Sequence, residues 1–174
     1  MPSPDSLREA LPAAGAMKRR PALRQLSREH HGALVLALRI AKAGDTDAIG
    51  HLMATVPSFF TQELEPHFRD EETTLLHALA TAGADALVRR TLDEHQLLRG
   101  LVDRIAAGHV ASLVEFAQAL RAHVRFEESE LFAMAETLLP AEILDAAPPA
   151  SRTPTSCRLA PKSPWTLRTS LPPF

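Results

Sequence analysis

The chain of 174 residues has a single cysteine, no tyrosine and few aromatic side chains of any kind, 5% in all. Each scarcity excludes something. Cys157 alone can close no internal disulfide and cannot build a cysteine-rich zinc or iron–sulfur site. Without tyrosine the commonest radical relay is missing. No apolar run reaches the roughly 18–20 residues of a membrane span. The N-terminus lacks the charged head and continuous apolar core of a secretory signal. A cytoplasmic, reducing location is therefore expected. The formal net charge of -2 gives no electrostatic case for nucleic acid or for an anionic membrane. Binding to neither is expected, and no protein partner is indicated.

What remains is apolar but not aromatic. Hydrophobic residues make up 45% of the chain, with leucine and alanine carrying most of the load, which favours helices over sheets. The length suits one domain with one core. The 8 histidines exceed what packing ordinarily needs and point weakly towards metal chemistry.

The histidines are patterned. His67-Phe68-Arg69-Asp70-Glu71-Glu72 and His123-Val124-Arg125-Phe126-Glu127-Glu128 each place a histidine four residues before a glutamate. Residues i and i+4 of a helix lie one above the other, so each segment aims one imidazole and one carboxylate the same way. A second pair of segments also matches. Glu29-His30 is followed by Arg39-Ile40, and Glu94-His95 by Arg104-Ile105, at the same spacing. The intervening residues are mostly apolar and include Leu34, Leu38 and Leu97. The chain thus reads as two degenerate copies of one unit: a helix carrying Glu-His, then a helix carrying His-x-x-x-Glu. A doubled helical hairpin is an all-α, up-down four-helix bundle with pseudo-twofold symmetry.

The expected organisation is a flexible lead over 1–20, the bundle over 21–145 and a disordered tail over 146–174. The tail has seven prolines from Ala147 onwards and no helical period. Helix 1 is expected from Pro21 to about Ala43. Helix 2 runs from an Asp45 or Thr46 cap to about Thr81 and stops near Gly83. Helix 3 covers about Ala84 to Ala107, before Gly108. Helix 4 runs from a Ser112 cap to about Leu139, before Pro140. Pro57 and Pro66 fall inside helix 2 and predict kinks or a break, with a distortion at Pro66 placed to help aim His67.

The six residues His30, His67, Glu71, His95, His123 and Glu127 form the candidate metal site. Two six-coordinate ions call for about twelve bonds. Four imidazoles and two carboxylates bridging through both oxygens supply about eight, and an oxo or hydroxo bridge about two more. About one position per ion stays open for a small molecule. Mixed nitrogen and oxygen donors with open positions suit iron or manganese better than structural zinc, which prefers a closed tetrahedron.

In order and spacing, Leu26-x-x-Glu29-His30, His67-x-x-x-Glu71-Glu72, Asp93-Glu94-His95 and His123-x-x-x-Glu127-Glu128-x-x-Leu131-Phe132 resemble the haemerythrin-like proteins that carry the HHE cation-binding domain. The resemblance covers about Leu23 to Leu139. It implies a four-helix bundle around a non-haem centre of two oxo- or hydroxo-bridged irons, with manganese the lesser candidate. It also implies activities that include oxygen binding, nitric oxide response and iron handling. Oxygen-carrying haemerythrins have two histidines four residues apart on the third helix. This chain has Thr91 and Arg99 on either side of His95, so the His4Glu2 set is closer to the bacterial stress-related relatives. Ala133 replaces a proline that many relatives carry. Many relatives also begin with a run like Met17-Lys18-Arg19, which makes the first 16 residues an extension or a mis-set start.

Several residues are weighed against plainer roles. His30 is favoured over adjacent His31, which points about 100° away, because it lies on a stripe with Leu23, Leu26, Ala33 or Leu34, and Ala37. His51, His77 and His109 fall outside the pattern and read as structural or solvated. Glu29, Glu72, Glu94 and Glu128, each beside a presumed ligand, read chiefly as surface carboxylates, with contact to an imidazole N–H the alternative. Arg69 and Arg125 are expected on the outer face as charge partners. The leading functional expectation is a di-iron protein that binds or senses a small diatomic molecule, O2 or NO. The alternatives are a di-iron enzyme acting on nitric oxide or peroxide, iron storage or delivery for iron-centre repair, and a bundle that metal merely stabilises.

Overall fold

The computed structural model describes residues 20–145, and every regular element among them is helical. The proline-rich tail, Cys157, Trp165 and nearly all of the N-terminal lead lie outside the described residues.

Four rods make the bundle. The first is α1 (Pro21–Lys42), with proline in its first turn where no backbone donor is missed. The second is nearly continuous: α2 (Thr46–Phe59), a π-helical turn over Phe60–Leu64, α3 (Glu65–Thr73) and α4 (Leu75–Thr81). Asp45 caps it by accepting a 2.7 Å bond from the Ala48 amide. The third rod is α5 (Asp85–Ala106). The fourth is α6 (Ala111–Phe126), a second π-helical turn over Glu127–Leu131, and α7 (Phe132–Leu138). Gly83 and Gly108 close the second and third rods at φ of 84° and 93°, backbone that a Cβ would strain.

The prolines of the second rod neither break it nor end it. Pro57 stays inside α2, and Pro66 lies in the first turn of α3, just after the π turn. There the Glu65 amide reaches back five residues to the Phe60 carbonyl. The widened turn is a local distortion of the rod, placed directly before Pro66 and His67. The fourth rod repeats the device without proline, its Phe132 amide bonding to the Glu127 carbonyl.

Three sequence expectations need correction. Ser112 does not cap the fourth rod: the helix starts one residue earlier, and Ser112 is buried within its first turn. Leu34, Leu38 and Leu97 are exposed rather than core. A short α8 (Ala141–Asp145) follows Pro140 and buries Leu144. Arg20 pairs with Asp145 at 3.0 Å and so joins the two ends of the described chain.

The buried side chains form two apolar clusters. One contains Ile40, Val56, Phe68, Leu101, Phe116 and Leu120. The other contains Leu23, Leu79, Leu131, Phe132 and Leu144. Each rod contributes to both and passes between them in alternate order. Each rod carries its histidine at that passage: His30 and His95 lie between the positions that feed one cluster and those that feed the other, and His67 and His123 directly precede Phe68 and Val124, the last residues that their rods give to the first cluster. A polar layer divides the core.

Candidate metal centre

Eight polar or charged residues are buried in the described chain, and six are the candidate ligands: His30, His67, Glu71, His95, His123 and Glu127, none more than 3% exposed. The sequence placed all six, and the fold brings them together. His67 and Glu71 sit one turn apart on α3. His123 lies in the last turn of α6, and Glu127 opens the π turn that follows. His30 and His95 face them from α1 and α5. The ring of His31 is exposed, as the rotational argument expected. His51, His77 and His109 are also on the surface.

The side chains fall into two sets that share both carboxylates. One is His30, His67, Glu71 and Glu127, and the other is His95, His123, Glu71 and Glu127. Within each set, ligand atoms lie within 4.8 Å of one another. Glu71 turns Oε1 to His67 Nε2 at 3.6 Å and Oε2 to His95 Nε2 at 3.4 Å. Glu127 turns Oε2 to His30 Nε2 at 2.9 Å and Oε1 to His123 and His95 at 3.3 and 3.8 Å. Spacings of about 3 Å are edges of a coordination shell whose bonds are about 2.1 Å long.

All eight of these inward atoms, four Nε2 and four carboxylate oxygens, lack a hydrogen bond of acceptable geometry. Even the short approach of His30 to Glu127 is not one. An unpaired buried carboxylate costs several kcal/mol, and two of them face each other here. Donors of this kind, with no proton bonds of their own, fit a pair of cations.

Outside this inner ring stands a ring of four carboxylates. His30 Nδ1 donates to Glu128 at 2.8 Å, His67 Nδ1 to Glu29 at 2.7 Å, His95 Nδ1 to Glu72 at 2.8 Å and His123 Nδ1 to Glu94 at 2.9 Å. Each bond crosses from one rod to another, and together they run round all four rods. With Nδ1–H held this way, the Nε2 lone pair points inward. The sequence alone reads these four glutamates chiefly as surface carboxylates. The structure corrects that reading: their side chains are only 22–29% exposed, and each orients a histidine. The available signal was the recurrence of Glu-His and Glu-Glu in both copies of the repeat.

Protonation in the cluster is tilted. Burial, followed by the charge of Glu127, pushes the Glu71 carboxyl well above the usual range. Burial also works against ionised Glu127, yet His123, His30 and His95 around it hold it well below that range. For His30 burial lowers the pKa, but Glu127 and Glu128 on its two nitrogens outweigh it and raise it to about 9. His67 is lowered, first by burial. Cations placed here would replace protons that the ligands otherwise share.

Aromatic rings wall the layer on both sides. Phe68 stacks on His95 with centroids 3.9 Å apart, and Phe132 lies parallel to His30 at 5.6 Å. Thr91 and Arg99 add no ligand. The buried Thr91 hydroxyl donates to the Leu87 carbonyl, and Arg99 binds Glu65 and Glu72 outside the inner ring. Arg69 is on the surface and pairs with Glu65 at 3.0 Å.

The family model described as Hemerythrin HHE cation binding domain matches residues 22–135, a span that includes both rings. No curated protein and no solved structure shows significant similarity to the chain.

Proposed function

The chain belongs to the haemerythrin HHE cation-binding family, and from that premise we propose that it is a non-haem di-iron protein that binds or senses a small diatomic molecule, O2 or NO. The observation that carries this reading is the convergence of eight unpaired ligand atoms on one enclosed layer. His30 and His67 would hold one ion, and His95 and His123 the other. Glu71 and Glu127 would bridge them, since each turns its two oxygens to different halves of the site.

When bound, an iron pair supplies redox-active Lewis-acid positions for a diatomic ligand. The protein's own contribution is positional. Glu29, Glu72, Glu94 and Glu128 hold the Nδ1 protons and aim the four imidazoles. Phe68 and Phe132 cover His95 and His30, lowering local polarity and keeping bulk water off the ligands. With two imidazoles for each ion and the carboxylates shared, the residues would leave coordination capacity for a small ligand.

Metal analysis and optical spectroscopy test the reading. Protein purified from iron-replete cells should carry two irons per chain and show the visible charge-transfer band of a ferric pair. One tightly held zinc with no iron would overturn it. The reduced protein should change its spectrum on anaerobic addition of NO, and no change with either NO or O2 would remove the diatomic assignment. Steady consumption of NO or peroxide with a supplied reductant would move the protein to the enzyme reading.

A further inference from the structure

The helix that carries His67 and Glu71, α3, is gripped from the third rod by one side chain. Glu65, Phe68 and Glu72 are spaced i, i+3 and i+7 and so share one stripe of α3. Arg99 of α5 meets all three. Its Nε donates to Glu65 Oε2 at 2.8 Å and its Nη2 to Glu65 Oε1 at 3.4 Å. Nη1 donates at 3.0 Å to Glu72 Oε1, the same oxygen that accepts from His95 Nδ1 at 2.8 Å. The guanidinium carbon lies 5.7 Å from the centre of the Phe68 ring, which stacks on His95. None of these bonds reaches an inner-ring atom.

Glu65 is also the residue on which the first π turn closes, through its amide bond to the Phe60 carbonyl. A π turn holds one residue more than an α turn. Relaxed to an α-helix, it would rotate everything after it by about 100° and carry His67 and Glu71 out of the layer. A planar guanidinium, with several donors in fixed directions, resists such a rotation better than a single ammonium group. We propose that Arg99 is a positioning residue that locks the rotation of α3, so that His67 and Glu71 face the metal layer, and that it steadies His95 through Glu72. This rests on the dinuclear reading above, in which Glu71 is shared, so that both ions feel the lock.

Hydrogen exchange of the full chain as purified, compared with that of Arg99→Gln, tests the lock with no added metal. Amides over 60–73 should exchange faster in the variant by roughly threefold or more, with the other rods unchanged. Arg104→Gln breaks an exposed 3.2 Å link from the same helix to Glu115 and should leave 60–73 as in the parent. Unchanged exchange over 60–73 in Arg99→Gln would overturn the proposal. So would faster exchange spread evenly over all four rods, the mark of a merely structural role.

Co(II), titrated into the metal-stripped full chain against a competing chelator and followed by its visible d–d spectrum, reads the consequence for the site. Removing an outer partner of a ligating side chain costs about ten- to a hundredfold in metal affinity. Arg99 acts one contact further out, so Arg99→Gln and Glu65→Ala should each weaken both binding steps by roughly three- to tenfold and shift the d–d band. Arg99→Lys keeps the charge but loses the fork, and it should fall with them. Parent-like binding in Arg99→Lys would assign the effect to charge, and weakening of one step alone would leave Arg99 a partner of Glu72 only. Either result overturns the lock, as does parent-like binding in all three variants. A parent chain that binds one Co(II) rather than two would instead sink the dinuclear reading, while the exchange measurement still decides the lock.

Discussion

The inner and outer rings use the same two residue types to opposite ends. Inside, histidine and glutamate turn bare acceptor atoms towards one another, and none of the eight atoms makes a hydrogen bond. Outside, histidine and glutamate meet as donor and acceptor at 2.7–2.9 Å, and all four pairs are made. The inner arrangement is unfavourable for a protein on its own, since it buries two carboxylates that make no hydrogen bond. The outer arrangement is favourable and holds the inner one open. Function thus sits where the bonding rules are left unmet, and the neighbouring shell maintains that state.

The comparison predicts a graded response to mutation. The largest effect should follow removal of either shared carboxylate. Glu71→Ala or Glu127→Ala should release both metals together, and metal analysis after dialysis against a chelator should find close to none. One metal fully retained in both variants would show that the carboxylates do not bridge.

Removal of one inner histidine should come next. His30→Ala should lower metal content and bleach the visible band, because His30 is buried and faces Glu127 at 2.9 Å. His31→Ala, on the exposed side of the same helix, should stay near wild type in both readouts. Equal loss in the two variants would erase the distinction between the faces of α1.

An outer-ring substitution should cost less than an inner one. Glu72→Gln or Glu128→Gln keeps the shape and an acceptor oxygen but loses the charge, and metal affinity should fall by roughly ten- to a hundredfold. Chelator competition measures this. An effect as large as that of Glu127→Ala would mean that the outer glutamates are themselves ligands.

Smallest of all should be a change far from both rings. Asp45→Ala removes the cap of the second rod and should lower unfolding stability by about 1 kcal/mol in a denaturant titration, with metal content unchanged.

The inner ring was legible in the sequence because its evidence is internal to single helices. A His-x-x-x-Glu pair is fixed by the helical period alone, and finding it twice, in register with two Glu-His pairs, identified the layer. The outer ring depended on something else. Glu72 and Glu128 sit about 100° round the helix from the ligands. Whether that direction meets water or a neighbouring rod is set by how the rods approach each other, which no single helix encodes. The same gap explains Leu34, which lies close to the predicted core stripe of α1 yet is 40% exposed. The π turns were legible in part. Pro66 marked a distortion beside His67, but nothing at Glu127–Leu131 marks the second one, because a five-residue carbonyl-to-amide bond leaves no compositional trace. Ser112 misled because a residue well suited to capping fell one position inside a helix that begins without a side-chain cap.

The central claim is that two cations share Glu71 and Glu127 within one buried layer. Anomalous diffraction from crystals of the iron-loaded protein, recorded at the iron absorption edge, tests it most directly. The account predicts two peaks about 3.5–4 Å apart, one beside the Nε2 atoms of His30 and His67 and the other beside those of His95 and His123, with Glu71 and Glu127 between them. A single peak held by one half of the layer, or a peak ligated by His31 with the His30 ring turned to solvent, would contradict it.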